Sequence, residues 1–117
     1  MIGEVWTFKA TNPSDNVEKA RPVLIIGDDG GNNLKFVDVH YVIISSSATC
    51  GEYDVQLNEQ EAKNIGLDRP SVIKTTKIYT GSKFKLGNKI GDLSNEKKDE
   101  FKQKYADYQN KLIDRFN

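Results

Sequence analysis

Residues able to do chemistry are few in this sequence. His40 is its single histidine and Cys50 its single cysteine, so neither an ordinary metal cluster nor an internal disulfide can be assembled from them. His40 stands mid-strand beside Tyr41. A general base is conceivable there, but a histidine on a strand face is the commoner use. Cys50 lies in Ala48-Thr49-Cys50-Gly51 with no basic neighbour in sequence to favour its thiolate, and reads as structural or incidental. Gly27–Gly31 lacks the lysine and serine of a phosphate loop and precedes a strand, so it is a turn. Cations and hydroxyls remain. Lys74, Lys77, Lys83, Lys85 and Lys89 fall in one stretch without an acid, Arg21 directly precedes an apolar run, and Ser45-Ser46-Ser47 ends another. Taken singly, such an arginine is a salt-bridge partner at a barrel rim, and such serines are a plain turn.

Charge narrows the function classes. Seventeen basic and seventeen acidic residues cancel. A protein that grips a long stretch of nucleic acid non-specifically is usually basic overall. A short local groove for a few nucleotides is not excluded. The acids gather around Asp54–Glu61 and in the first turn of the terminal helix. No apolar run approaches a membrane span, and Met1-Ile2-Gly3-Glu4 does not resemble an export signal. With one lone cysteine, the expected place is a reducing cytoplasm.

Those residues must be held by a β-rich frame. Glu4–Lys9 alternates as a first strand, and Ala10–Lys19 reads as a polar loop long enough to suspect a function. Pro22–Ile26 is a short apolar strand buried on both faces, its proline placed first where a missing N–H is tolerated. Gly27–Asn33 is dense turn chemistry. Phe36–Ile44 is the longest strand candidate, with Val37, Val39, Tyr41 and Ile43 on one face. Tyr53–Leu57 is another strand. Asn58, three residues before Glu61, starts a short helix that Gly66 stops. Ser71–Thr80 is a strand, and Phe84–Leu86 and Lys89–Ile90 are strand pieces around a Gly87-Asn88 turn. Ser94 caps a final helix whose apolar stripe is Phe101, Tyr105, Tyr108, Leu112 and Phe116. At 117 residues this is a single domain: a small, mainly β antiparallel barrel over roughly residues 1–91, with a helix over roughly residues 94–116 packed on it or on a partner subunit.

Several pieces recur in an order that carries more than any one alone. Gly3-Glu4-Val5-Trp6 opens the chain, and Lys19-Ala20-Arg21-Pro22 leads into Val23-Leu24-Ile25-Ile26. Ile43-Ile44-Ser45-Ser46 ends a strand, Gly66-Leu67 precedes Ser71-Val72-Ile73-Lys74, and Lys89-Ile90-Gly91-Asp92-Leu93-Ser94 runs into the helix. This order and spacing resemble the MazF/PemK family of toxin ribonucleases, across nearly the whole chain. The resemblance implies an SH3-like barrel of the CcdB/MazF type, acting as a homodimer. It implies the toxin of a type II toxin–antitoxin system, neutralised by a cognate antitoxin protein. The implied activity is that of an mRNA interferase, cutting single-stranded RNA (mRNA) sequence-specifically with no metal or cofactor.

In that resemblance Arg21 matches the family's Arg-Pro arginine, and Ser45 the hydroxyl at the end of the long strand. These are the implied catalytic residues, with Ser46 in place of Ser45 if the register slips by one. Lys19, Ser46, Lys74, Thr76 and Lys77 are the implied RNA contacts. The chain also departs from the pattern. The family's Gly-x-Glu-Gln-like stretch is replaced by Ser14-Asp15-Asn16-Val17-Glu18-Lys19, which brings Glu18 closer to Arg21. Where some relatives place an arginine and an acid, this chain has Lys74 and Thr76, so no carboxylate base stands there. A second class therefore stays open: a non-catalytic barrel that binds a protein target such as DNA gyrase, as the related CcdB toxins do.

Overall fold

The computed structural model describes residues 1–11, 16–28 and 38–116. Along them run β1 (Glu4–Thr11), β2 (Glu18–Gly27), β3 (Asp38–Ser45), β4 (Val55–Leu57), α1 (Glu59–Ile65), β5 (Ser71–Ser82), a 3-10 turn at Lys83–Lys85, β6 (Leu86–Asp92) and α2 (Asn95–Asp114). The strands form one antiparallel sheet in the order β4-β5-β3-β2-β1-β6. The sheet is rolled. A Cβ on Gly81 of β5 would lie 2.6 Å from the Phe8 ring of β1, three places away in the sheet.

Alternation along the long strands sends side chains to two cores. Val5, Leu24, Val42, Ile44 and Ile73 meet Ala62 and Ile65 of α1, Leu93, and Phe101 of α2 on one side. Phe8, Val23, Ile25 and Val39 gather on the other. Because β2 feeds both, its run Val23-Leu24-Ile25 is buried on both faces, as its continuous apolar pattern requires.

Helix α1 touches both edge strands, β4 and β6. It starts at a capping box: the Glu61 N–H donates to Asn58 Oδ1 at 2.8 Å, and the Asn58 N–H to Glu61 Oε1 at 2.9 Å. It ends at Gly66, whose φ of +111° suits glycine. Gly91 of β6 passes so close that a Cβ there would fall on the Ile65 carbonyl oxygen. Ser94 caps α2 by accepting from the Lys97 N–H at 3.2 Å. Lys97 then ties α2 to α1 through Glu61 at 3.0 Å and to β4 through the Gln56 carbonyl at 3.0 Å, while also pairing with Glu100 of its own helix at 3.0 Å.

Several boundaries differ from the sequence reading. Ala10 pairs with Lys19 and Thr11 with Glu18, so the two ends of the expected polar loop are strand, while residues 12–15 lie outside the described residues. Pairing with β1 likewise starts β2 four residues before Pro22. Tyr53 lies in a turn closed by the Asp54 N–H on the Gly51 carbonyl at 3.2 Å, and β4 starts only at Val55. There is no turn at Gly87-Asn88, because β6 runs straight through it. The partner is β1: the Asn88 N–H donates to Thr7 Oγ1 at 2.8 Å, beside a bulge in the β1–β6 ladder. Phe84 belongs to the 3-10 turn rather than to a strand. The stripe on α2 fades along its length, from buried Phe101 to Phe116, which lies beyond the helix and is 90% exposed. Most of the expected Gly27–Asn33 turn, with Phe36 and Val37, lies outside the described residues.

Candidate active site

Arg21 sits in the outer half of β2, opposite Phe8 of β1. On its other side the ladder to β3 begins only at Val23 with Ile43. Extending that register by two residues sets Arg21 across from Ser45. Pro22 has no N–H to offer a neighbouring strand, and the β2–β3 ladder stops beside it. At this point lies a cleft of about 320 Å³ lined by Arg21, Pro22 and residues 43–47, and by Gly66–Arg69, Ser71 and Ile90. The Arg-Pro pair thus has two jobs: one residue supplies the cation, and the next ends the pairing that would close the cleft.

Two arginines line this space, Arg21 and Arg69. Both residues are exposed, and among the described residues neither guanidinium has an ion-pair or hydrogen-bond partner. The rim salt bridge considered for Arg21 is therefore absent from the described residues. Its planar fork of donors is open to a phosphate or carboxylate. Ser45 Oγ accepts from the Ser47 N–H at 3.3 Å and shares a 3.4 Å hydroxyl contact with Ser47 Oγ. The serines are therefore a turn and part of the cleft at once. A hydroxyl that accepts from the backbone keeps its own proton to donate to an anion. Asp68 is the one carboxylate among the cleft-lining residues.

The remaining candidates scatter. Ser46 lines the cleft, whereas Lys19 is exposed on the outer part of β2 and does not. Lys74 is engaged elsewhere: its ammonium lies 2.6 Å from Asp54 Oδ2 and 3.1 Å from the Thr49 carbonyl. The Asp54 side chain is only 3% exposed. Its Oδ2 also accepts from the Gly51 N–H at 2.8 Å, while Oδ1 has no hydrogen-bond partner among the described residues. This pair braces the segment that follows the serines. Thr76 and Lys77 sit in a bulge, where β5 inserts residues 75–77 between Lys74 (opposite Ile43) and Ile78 (opposite Val42). His40 is exposed, 3.0 Å from Thr80 Oγ1, and outside the cleft. Cys50 is exposed and unpaired.

Arg69 and Asp68 were not singled out from sequence. Their only signal is a charged pair between a helix-stopping glycine and a strand, and nothing local says that this loop faces Arg21. The Gly3-Glu4-Val5-Trp6 and Lys89-Ile90-Gly91 pieces turn out to be a brace. Gly3 adopts φ +88° and accepts from the Leu93 N–H at 3.0 Å. The Trp6 indole donates to Glu4 at 2.9 Å, and Lys89 reaches Glu4 at 3.3 Å. The indole bond is the main reason the Glu4 carboxyl titrates below its ordinary value; burial opposes it, and Lys89 and the amino terminus add to it.

Residues 2–107 match the PemK-like, MazF-like toxins of type II toxin–antitoxin systems. The chain belongs to this family. Among the solved structures that share its fold are two from mycobacteria. "Mycobacterium tuberculosis toxin MazF-mt6" is 21% identical, with 89% of this chain and 93% of that one covered at a TM-score of 0.70. "Endoribonuclease in complex with its cognate antitoxin from Mycobacterial species" is 17% identical, with 91% and 90% covered at 0.66. No curated protein matches the sequence. The PemK/MazF assignment agrees with the rolled sheet, short inner helix and C-terminal helix read from the sequence. Among the described residues no helix is long and apolar enough to cross a membrane, and no three His, Cys, Asp or Glu residues group to hold a metal ion.

Proposed function

We propose that this PemK/MazF-like toxin is an endoribonuclease that cuts single-stranded RNA in the Arg21–Ser45 cleft. The observation that supports the reading is that Arg21, Arg69 and Ser45 line one cleft, both arginines without a charge partner among the described residues. In the proposed step the RNA's 2′-oxygen bonds to the adjacent phosphorus while the bond from phosphorus to the 5′-oxygen breaks. The 2′-hydroxyl loses a proton and the departing 5′-oxygen gains one. Arg21 and Arg69 bind the non-bridging oxygens as charge builds on phosphorus, where fixed cationic donors act most strongly. Ser45 donates to the same phosphate. In this reading Asp68, the carboxylate among the cleft-lining residues, takes the 2′-proton, the role for which no acid stands at Thr76. Because the nucleophile comes from the RNA itself, the step needs no metal-bound water.

The related structure named as an endoribonuclease with its cognate antitoxin supports a protein antitoxin as partner, and homodimerisation in the cytoplasm belongs to the same reading. The test is incubation of antitoxin-free protein with mixed-sequence RNA, with and without EDTA. Discrete cuts that persist in EDTA and vanish in Arg21→Ala are expected. Intact RNA with the wild-type protein overturns the proposal, and recovery of a topoisomerase subunit in its place would favour a protein-poisoning barrel.

A further inference from the structure

The sheet face that carries Arg21 and Ser45 continues into an aromatic ladder that the proposed chemistry does not use. Along β3, alternation puts Ser45, Ile43 and Tyr41 on one face. Tyr41 pairs across to Tyr79 of β5. Their rings stack, with centroids 5.7 Å apart and planes 18° apart, and the ring of Phe8 backs Tyr41 at 4.4 Å. Gly81 leaves the room for this: a Cβ there would lie 2.6 Å from Phe8 and 3.3 Å from Tyr41. Tyr41 is half-buried, whereas Tyr79 is 46% exposed. A single exposed tyrosine means little. One whose ring is held parallel to a second, itself wedged on a third, presents a fixed flat surface to solvent.

We infer that Tyr79, backed by Tyr41, is a base-stacking shelf for a nucleotide neighbouring the one cut in the cleft; this rests on the RNA reading above. Ser45 and Tyr41 are four residues apart on a strand, roughly 13 Å, so shelf and cleft can be spanned by one short RNA segment. The shelf is also flanked by charge suited to that strand. Lys77 lies two residues before Tyr79, at the end of the β5 bulge. It is exposed and, among the described residues, without an ion pair. A ring for the base beside a cation for the phosphate is the usual pairing in single-strand binding.

The test separates binding from cleavage. A fluorescein-labelled mixed-sequence RNA is titrated by anisotropy into Arg21→Ala, and into Arg21→Ala combined with Tyr79→Ala or Tyr79→Phe. Wild-type and Tyr79→Ala cleavage are followed in parallel, with thermal melts confirming the fold. Loss of one stacked base should weaken binding on the order of 10- to 100-fold in the alanine variant. The phenylalanine variant, which keeps the ring, should bind like its parent. An abasic site one or two nucleotides from a mapped cut should erase the difference between tyrosine and alanine. Equal affinity of the tyrosine and alanine proteins, or equal loss in alanine and phenylalanine, overturns the shelf while Arg21-dependent cleavage stands. Neither binding nor cleavage by wild type overturns both readings.

Discussion

At Arg21 and Lys74, two cations chosen by the same sequence resemblance, the surroundings demand opposite behaviour. Arg21 is exposed and, among the described residues, unpaired. Arg21→Ala is expected to lower the cleavage rate about 10²- to 10³-fold, the usual cost of one fixed donor to a developing anion. It should leave stability within about 0.5 kcal/mol, because it removes no packed contact. Arg21→Lys should recover only part of the rate, since a point charge does not reproduce the planar fork. Lys74 neutralises the 3% exposed Asp54 carboxylate. Lys74→Ala strands that charge and should cost about 3 kcal/mol in urea unfolding. Unchanged stability there would mean that the pair is not a brace. The type and neighbours of each residue were legible in sequence. The partner twenty positions away from Lys74 was not, because a lysine in a strand carries no local mark of the acid it will meet.

Elements show the same division. The Asn58 capping box and the glycine stop on α1 lie within a few residues of each other, so the sequence reading placed that helix well. Gly87-Asn88 is the contrary case. Locally it is turn chemistry, but β1 offers both ladder partners and the Thr7 hydroxyl, and pairing overrides propensity. Gly91 has a tertiary reason for its type: Gly91→Ala drives a Cβ onto the Ile65 carbonyl oxygen. Backbone on backbone leaves no rotamer escape, so a loss of about 3 kcal/mol, or failure to fold, is expected in thermal melts. The brace between β1 and β6 should be pH-dependent. Glu4 titrates below its ordinary value of 4.5 in the folded protein. Its contribution is therefore complete above that value and is lost as pH falls through the folded one. The stability gap between wild type and Glu4→Gln should be constant near neutrality and shrink below about pH 4.5. A gap that widens on acidification would contradict the indole bond as its cause.

For the whole molecule, zero net charge and a cleft with two arginines predict a shallow salt dependence. Each neutralised phosphate on a single strand contributes about −0.7 to the slope of log K against log salt. Arg21 and Arg69, with Lys77 beyond them, should give a slope of about −1.5 to −2; a much steeper slope would point to a long non-specific track instead. The sequence by itself determined the β-rich class, the helix from Ser94, the caps and the family, because alternation, capping and ordered motifs are written within short windows. It also marked Arg21 and Ser45, though as separate points on a line. Only the tertiary structure decided that they share a cleft, that Arg69 and Asp68 join them, and that Lys74 is spoken for by Asp54. It also set Tyr41 on Tyr79 along the same face. The reason is physical: those contacts depend on strand register and on the roll of the sheet, and register emerges only when distant strands are packed against one another.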